Sequence, residues 1–306
     1  MVKKEKMKIG FIGFGNHAAK ILSLMKLSKK DRVYKYHPYK SKANTTNQLR
    51  DLFDCKVVFI TSPNETHYKY INILIKNSKC YIFCEKPPVT NRIQINDLKK
   101  YSKKMKDRVY FNFNYRLSNL TNIIKNIRGN SSIGKLMIIN AKLTHGLAFK
   151  SSYQKSWRGR YDLRKSVVLD TSLIHLIDIF NFSYREKNPL KLLSCISTSY
   201  FYGRDTCSFS LVEKNGLIIN IFSSYAAPYQ FEMSATGTNG LIEINRNGFR
   251  SYSPRNTYNK QGLYTNPPLI KKDKYNFEKD YKQSLIKSVN YFFEKVKASE
   301  KINNNY

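Results

Sequence analysis

Residues 8–19 read K-I-G-F-I-G-F-G-N-H-A-A, and this stretch decides the fold. It begins with an apolar run that is long enough for a buried strand and too short for a helix. The motif G-x-G-x-x-A follows as Gly13-Phe14-Gly15-Asn16-His17-Ala18 and leads into an amphipathic, helix-like segment. Gly13 permits a tight turn, Gly15 lets a pyrophosphate approach the backbone, and Ala18 lets the helix pack on the strand. Because free N–H groups at the start of a helix hold phosphates, the stretch predicts a dinucleotide-binding turn.

Length and composition define the class of protein. A chain of 306 residues, 41% of them hydrophobic and 14% aromatic, predicts a globular protein of about two domains. Its five cysteines are scattered without a C-x-x-C pair, so neither a disulfide framework nor a metal site is expected. No apolar run approaches the roughly 18 residues of a membrane span. The charged first residues run straight into a strand, so no signal peptide is indicated and we expect a cytoplasmic protein.

The charge balance is strongly basic, with a formal net charge of +33. A positive field of this size attracts nucleic acid or polyphosphorylated substrates. The alternative is compositional drift, because the lysines are spread along a chain that is also rich in Asn, Ile and Tyr. We find no basic block with interleaved aromatic residues and no helix-turn-helix signature. The charge therefore indicates a solvated surface that steers anionic substrates, and a nucleic-acid partner is not expected.

Alternating strands and helices continue through the first third of the chain. The predicted strands after the first are Val33–Pro38, Val57–Ile60, Cys80–Cys84 and Val109–Phe113, with a helix from Glu65 to Lys76 that Asn64 could cap. This alternation predicts a parallel, doubly wound sheet, which binds ligands at the carboxyl ends of its strands. Polar clusters fall at those ends: Thr61-Ser62-Pro63-Asn64-Glu65-Thr66-His67, Glu85-Lys86-Pro87-Pro88 and Asn114-Tyr115-Arg116.

The end of the second strand bears on the choice of cofactor. In NAD-binding proteins an acidic residue at this place holds the ribose hydroxyls. Here the chain offers Lys35, Tyr36 and His37, followed by Lys40 and Lys42. A cationic cluster suits a 2′-phosphate, so the sequence favours NADP(H) over NAD. The alternative is that these lysines are ordinary surface residues, and the sequence leaves it open.

After about residue 120 the pattern becomes that of an open, mostly antiparallel sheet. Alternating or apolar runs predict strands at 136–147, 191–202, 206–213, 217–225, 230–236 and 241–245, and Asn215-Gly216 is a strong hairpin signal. Helices are predicted at Thr171–Phe182 and Phe277–Lys297. The expected organisation is a Rossmann-type dinucleotide-binding domain over residues 1–120 and an α+β domain for substrate binding and oligomerisation over residues 121–306.

The motifs together resemble the Gfo/Idh/MocA family of NAD(P)-dependent oxidoreductases. The resemblance lies in the N-terminal glycine turn, the Thr61–His67 cluster, Glu85-Lys86-Pro87, Asn114-Tyr115-Arg116, and His175 with Asp178; Ile133-Gly134-Lys135 and Trp157-Arg158 also match in position. It implies hydride transfer between a nicotinamide cofactor and a sugar or sugar-derivative carbon, often on a nucleotide-linked sugar such as those of surface-polysaccharide synthesis. It also implies a homodimer or homotetramer formed through the face of the second sheet.

The resemblance further implies roles for individual residues. Lys86 and His175 would handle the proton of the reacting hydroxyl, since hydride transfer from an alcohol needs a group that accepts this proton. Asp170 is a third catalytic candidate. The implied cofactor-binding residues are Gly13, Phe14, Gly15, Asn16, His17, His37, Thr61, Ser62, Pro63, Asn64, His67, Glu85 and Lys86. The implied substrate-binding residues are Arg116, Trp157, Arg158 and His175.

Several alternatives stay open at this stage. The interval from Asp170 to His175 is five residues, and positions five apart on an α-helix do not share a face. Either Asp170 precedes the helix as its N-cap and still reaches inward, or Thr171 takes the acidic position. Lys86 could be a solvated loop lysine, His175 a core histidine, and Trp157-Arg158 a packed pair. The whole protein could also be a non-catalytic nucleotide sensor, or a reductase of an imine or tetrapyrrole.

Overall fold

The computed structural model describes residues 6–39, 44–160, 166–184 and 189–302. The chain forms two compact units, one made of residues 1–114 with 285–306 and the other of residues 115–284. The division falls after Asn114 rather than at residue 120, and the chain returns to the first unit for its last segment.

Fourteen strands and seven α-helices occur in the described residues. The strands are β1 (Lys8–Ile12), β2 (Arg32–Tyr36), β3 (Thr45–Thr46), β4 (Val57–Ile60), β5 (Tyr81–Glu85), β6 (Val109–Asn112), β7 (Leu136–Thr144), β8 (Lys191–Thr198), β9 (Thr206–Val212), β10 (Ile218–Ser224), β11 (Gln230–Gly237), β12 (Leu241–Asn245), β13 (Gly248–Tyr252) and β14 (Leu269–Asp273). The helices are α1 (Asn16–Ser23), α2 (His67–Asn77), α3 (Arg92–Lys100), α4 (Lys103–Lys106), α5 (Asn119–Ile127), α6 (Ile174–Tyr184) and α7 (Phe277–Lys297).

The first unit is built on a six-stranded sheet in the order β3-β2-β1-β4-β5-β6. Every pair of neighbouring strands is parallel, so the predicted doubly wound sheet is confirmed. All four residues of β4 are buried, as expected for a β-branched and aromatic strand that is covered on both faces. The order places the ends of β1, β4, β5 and β6 side by side, so the polar clusters that follow these strands share one edge of the sheet.

The second half of α7 covers one face of this sheet. Its apolar residues Leu285, Val289, Phe292 and Val296 recur at helical spacing and pack with a core that includes Phe11, Phe59 and Phe83. The Phe59 ring stacks on Phe11 at 4.9 Å and meets the edge of Phe292 at 5.7 Å. The second half of the helix therefore belongs to the hydrophobic core of the first unit, whereas Phe277 at its start packs in the core of the second unit.

The second unit contains an eight-stranded sheet in the order β14-β13-β12-β11-β7-β10-β9-β8. Only the β7–β10 pair is parallel, and the other neighbours run antiparallel, which confirms the predicted α+β class. The Asn215-Gly216 turn joins β9 to β10 as predicted. β13 and β14 were not predicted.

Two local expectations were wrong. Asn64 does not cap α2 with its side chain, because residues 64–66 form a 3₁₀ turn and the α-helix begins only at His67. The helix expected at Thr171 starts earlier, as a π-helical turn over Leu169–Leu173 that passes into α6. Asp170 therefore lies inside a helical turn rather than at an N-cap.

Candidate active site

The glycine turn leaves open space at the start of α1. Gly13 has φ of +80°, and a Cβ there would lie 2.7 Å from Ser62 Cα, so the turn requires glycine. Gly15 is the N-cap of α1, and a Cβ there would meet no atom within 4 Å. The same place faces the unbonded N–H groups and the positive end of the helix. The residues present therefore fit a phosphate group that approaches the backbone of Gly15.

The end of β2 carries positive charge next to this turn. The Lys35 ammonium lies 4.0 Å from the centroid of the Phe14 ring, which belongs to the glycine motif. His37 follows β2 directly, and its Nδ1 accepts a hydrogen bond from the Tyr39 N–H at 3.2 Å. No acidic residue occurs from Arg32 to His37. Lys40 and Lys42, the other members of the predicted cluster, lie outside the described residues.

Glu85 ends β5 as a buried carboxylate with two donors on one oxygen. Its Oε1 lies 2.9 Å from His17 Nε2 and 2.7 Å from the Asn112 Nδ2 that donates to it. Burial alone would raise the pKa of Glu85, but the His17 charge and the hydrogen bonds from His17 and Asn112 outweigh it and lower this pKa below its usual range. Glu85 is therefore an ionised acceptor beside the first turn of α1.

His67 joins two of the strand-end loops. Its Nδ1 lies 2.8 Å from the Pro87 carbonyl oxygen and its Nε2 lies 2.7 Å from that of Ser62. The side chain is fully buried, and burial lowers its pKa despite the two carbonyl contacts. A residue without exposed surface affects a ligand only through the loops that it holds in register. Thr61 fixes the same edge, since its hydroxyl donates to the Gly13 carbonyl.

Lys86 follows Glu85 directly and is half-buried at the carboxyl end of β5. Burial is the main cause of the lowered pKa of His67, and the contacts with His17 and Asn112 are the main causes of the lowered pKa of Glu85; the Lys86 charge adds to both. The edge of the first sheet thus carries a glycine turn with room for a phosphate, a carboxylate and an ammonium group on the adjacent strand ends. This combination suits a nucleotide and a group that exchanges a proton.

In the second unit, the π-helical turn changes which residues share a helix face. In an α-helix, positions five apart differ by about 140°, whereas an i→i+5 turn brings such positions towards one side. Asp170 lies in this turn and is half-exposed, and His175 lies just after it. Thr171 is buried, where its hydroxyl bonds the Val167 carbonyl and the Tyr225 hydroxyl. The interval of five residues is therefore compatible with a shared orientation of Asp170 and His175.

Aromatic and ionic contacts hold the other candidates of the second unit. The His175 ring stacks on Tyr115, with centroids 4.3 Å apart, and is 8% exposed. Arg116 forms a two-pronged ion pair with Asp178, at 2.8 Å from Nε and 2.5 Å from Nη2. This fork holds the guanidinium, so Arg116 is anchored to α6.

Arg158 lies in a cluster that sequence reasoning did not assemble. Its guanidinium lies 4.5 Å from the Trp157 ring centroid, and its Nε is enclosed without a hydrogen-bond partner among the described residues. The His145 ring packs on Tyr225 with centroids 4.4 Å apart. Burial, followed by the Arg158 and Lys150 charges, lowers the pKa of His145 to about 4. This cluster presents a cation and neutral polar groups next to the Thr171 turn.

Residues 7–113 match the family model of the Gfo/Idh/MocA oxidoreductases, which is described as an NAD-binding Rossmann fold. The matched residues lie in the first unit, whose Rossmann-type sheet is therefore similar to that of the Gfo/Idh/MocA family. One curated relative is glucose-6-phosphate 3-dehydrogenase of Bacillus subtilis (strain 168), 26% identical over 184 residues. The match covers 56% of this chain and 52% of the relative, so it spans about half the length of that protein.

Solved structures of two inositol dehydrogenases and of a homolog of such an enzyme share the fold of nearly the whole chain. Myo-inositol 2-dehydrogenase from Lactobacillus plantarum has a TM-score of 0.71 at 16% identity, covering 98% of this chain and 93% of its own. Myo-inositol dehydrogenase from Corynebacterium glutamicum ATCC 13032 has a TM-score of 0.67 at 15% identity, covering 98% and 91%. An inositol dehydrogenase homolog from Azotobacter vinelandii, solved with NAD+, has a TM-score of 0.71 at 13% identity, covering 97% and 88%. At these identities the likeness shows the fold alone, and it covers both units of the chain.

Within the first unit, the sheet brings the predicted cofactor residues that follow β1, β4 and β5 to one edge. Sequence reasoning missed Asn112, which donates to Glu85, and Ser288, which donates to Asn112 at 2.5 Å. It also missed His145 and Tyr225 in the second unit. The signal for Asn112 and Ser288 was a polar residue among the apolar residues of β6 and of the second half of α7. For Tyr225, the signal was its place directly after β10, at the start of the turn Ala226-Ala227-Pro228.

Among the described residues, no helix has the length and apolar content needed to cross a membrane.

Proposed function

We propose that the chain is an NAD(P)-dependent oxidoreductase that interconverts a hydroxyl and a keto group on a sugar or sugar derivative. The observation that carries the proposal is the edge of the first sheet. There the open space at Gly15 meets the start of α1, and the ionised Glu85 and Lys86 lie at the end of β5. The names of the relatives, which are dehydrogenases of inositols and of glucose 6-phosphate, support a polyhydroxylated substrate.

The bound nicotinamide would supply the hydride acceptor or donor. The residues of this chain would bind, orient and exchange a proton. Gly13, Gly15 and the first turn of α1 hold the phosphates, and Glu85 accepts hydrogen bonds from ribose hydroxyls. Lys86 takes up or returns the proton of the reacting hydroxyl, and His175 with Asp170 serves as the second acid/base group. Such proton transfer contributes typically 10²–10⁴-fold to a rate.

The finer features of the proposal concern the substrate and cofactor. The enclosed Nε of Arg158 and the net charge of +33 favour an anionic substrate, for which a nucleotide-linked sugar or a sugar phosphate qualifies. Arg116 and Trp157 are further substrate-binding candidates. The absence of an acidic residue from Arg32 to His37, together with the Lys35 ammonium over Phe14, favours NADP(H).

The proposal includes a homodimer or homotetramer in a reducing cytoplasm. One face of the second sheet carries a row of polar side chains that hydrogen-bond across strands. The Ser210 hydroxyl donates to Asn220 at 2.8 Å, and the Asn220 amide donates to Asn140 at 3.1 Å. A satisfied polar row of this kind suits a wet interface between two copies of the chain.

The test is a nucleotide-binding and turnover screen on the purified full chain. NADH and NADPH fluorescence measures binding, and absorbance at the nicotinamide band measures turnover on myo-inositol, glucose 6-phosphate and UDP-, GDP- and CMP-sugars. We expect Lys86→Met to reduce kcat by at least about 10²-fold with little change in nucleotide affinity. Lys99→Met on the exposed surface of α3 is the matched control. Unchanged turnover in Lys86→Met would refute the mechanism, and nucleotide binding without turnover on the panel would favour a sensor.

A further inference from the structure

A row of buried polar side chains connects α7 to the end of β5. The Tyr110 hydroxyl lies 2.8 Å from Ser288 Oγ, and Ser288 Oγ lies 2.5 Å from Asn112 Oδ1. Asn112 Nδ2 in turn lies 2.7 Å from Glu85 Oε1. All four side chains are buried, and Ser288 has no exposed surface. The row therefore runs through the core of the first unit and ends on the carboxylate.

Chemistry fixes the direction of every hydrogen bond in this row. An ionised carboxylate only accepts, so Asn112 must turn its amide nitrogen to Glu85 and its oxygen to Ser288. Ser288 has one hydroxyl proton, which it gives to that oxygen, so it can only accept from Tyr110. Each member of the row therefore donates to the next: Tyr110 to Ser288, Ser288 to Asn112, and Asn112 to Glu85. The same constraint determines the orientation of the Asn112 amide.

Stability alone does not require this row. Around it, α7 and β5 are apolar, with Phe83, Val289 and Phe292 in the same cluster. Buried polar groups in such a place are typically no more stabilising than apolar residues of the same shape. What the row does provide is a defined orientation of one carboxylate, since Asn112 and His17 both hold the Oε1 atom of Glu85.

The other oxygen of Glu85 is left for a ligand. Oε2 takes no hydrogen bond from the described residues, and it is not among the enclosed polar atoms that lack a partner. It therefore keeps contact with solvent at the carboxyl end of β5, on the sheet edge that also carries the Gly15 space. A fixed carboxylate oxygen with free lone pairs is the acceptor that a vicinal diol requires.

We propose that Asn112 and Ser288 are positioning residues that clamp Oε1 of Glu85 and thereby present Oε2 to the vicinal hydroxyls of the ribose next to the nicotinamide. The proposal rests on the proposed function, because it assumes that the sheet edge binds a nicotinamide nucleotide. It adds that α7, from a distant part of the sequence, determines how tightly this ribose is held. Neither residue touches the nucleotide.

The experiment compares ligands that contain or lack the second ribose. The dissociation constants of ADP and of ADP-ribose are measured by calorimetry, and that of NADH by fluorescence, for the wild type and for Ser288→Ala, Ser288→Thr and Asn112→Leu. We expect Ser288→Ala and Asn112→Leu to weaken ADP-ribose and NADH about tenfold, the value for a lost hydrogen bond to a charged group. ADP should change less than about twofold, and Ser288→Thr, which keeps the hydroxyl, should restore binding.

Ser284→Ala provides the matched control. Ser284 lies one turn earlier in α7, is also fully buried, and donates its hydroxyl to the Tyr281 carbonyl at 2.8 Å. Its loss should leave the ADP-ribose to ADP affinity ratio unchanged. Equal weakening of ADP and ADP-ribose in Ser288→Ala, or an unchanged ratio in both Ser288→Ala and Asn112→Leu, would overturn the positioning role. If the wild type binds neither ADP-ribose nor NADH, the proposed function itself fails.

Discussion

The same substitution, glycine to alanine, should lower stability at Gly13 and nucleotide affinity at Gly15. In Gly13→Ala, an L-residue at φ of +80° costs about 1–2 kcal/mol, and the new Cβ lies 2.7 Å from Ser62 Cα and 2.8 Å from Ser62 N. Relief of that overlap by backbone shifts costs about 1–3 kcal/mol more. We therefore expect Gly13→Ala to lose about 3 kcal/mol of stability, which lowers Tm by about 10 °C.

Gly15→Ala should leave the fold intact and weaken nucleotide binding. Gly15 has φ of −96°, which alanine adopts without strain, and the added Cβ meets no protein atom within 4 Å. The methyl group would instead occupy the space where a pyrophosphate contacts the backbone N–H groups. Loss of one hydrogen bond to a charged group corresponds to about 10- to 100-fold in affinity.

Differential scanning calorimetry and NADH fluorescence titration on the two variants provide the assay. Gly15→Ala should have a wild-type Tm and an NADH dissociation constant at least about tenfold higher. A Gly15→Ala protein that folds and binds NADH as the wild type does would show that the turn is not a phosphate site. A Gly13→Ala protein of unchanged Tm would refute the reading of the turn as strained for any side chain.

Three further predictions address stability and cofactor choice. The pKa of His145 is lowered from 6.5 to about 4, so between these pH values the unfolded chain binds more protons than the folded chain. The free energy of unfolding should therefore fall by about 2 kcal/mol from pH 7 to pH 5. In urea unfolding, His145→Asn should show a pH dependence that is smaller by this amount. Phe292→Ala removes a fully buried ring from the α7 contact with Phe59 and Phe83, and should cost about 3–5 kcal/mol in the same assay. His37→Asp places a carboxylate at the end of β2 and should shift the ratio of NADPH to NADH affinity at least about tenfold towards NADH, whereas an unchanged ratio would place the adenosine ribose elsewhere.

The sequence predicted the sheets well wherever burial alone determines the pattern. β4 matches its prediction residue for residue because a strand covered on both faces is a continuous apolar run. The same holds for β12 and for α7, whose apolar residues recur at helical spacing. β14 gave no signal because all five of its residues are exposed, so it carries no alternation of buried and solvated side chains.

The site was less predictable because it depends on a local change of helix type and on contacts between residues that are far apart in the sequence. The orientation of Asp170 is decided by a π-helical turn, which no residue type marks. Asn112 and Ser288 meet across a sequence separation of 176 residues, and neither belongs to a recognisable motif. Glycine and strand-end motifs are local, so they could be read from the sequence, whereas the residues that orient them could not.

The path of α7 has a consequence for how the protein is made on the ribosome. The first unit receives Leu285, Val289 and Phe292 only after the roughly 170 residues of the second unit have been translated. Translation proceeds at about 5–20 residues per second. The aromatic face of the sheet around Phe59 and Phe83 therefore stays uncovered by α7 for on the order of 10–30 s. A nascent chain in that interval is a natural client for chaperones, and a ribosome that stalls before residue 285 leaves the earliest-made sheet exposed to aggregation.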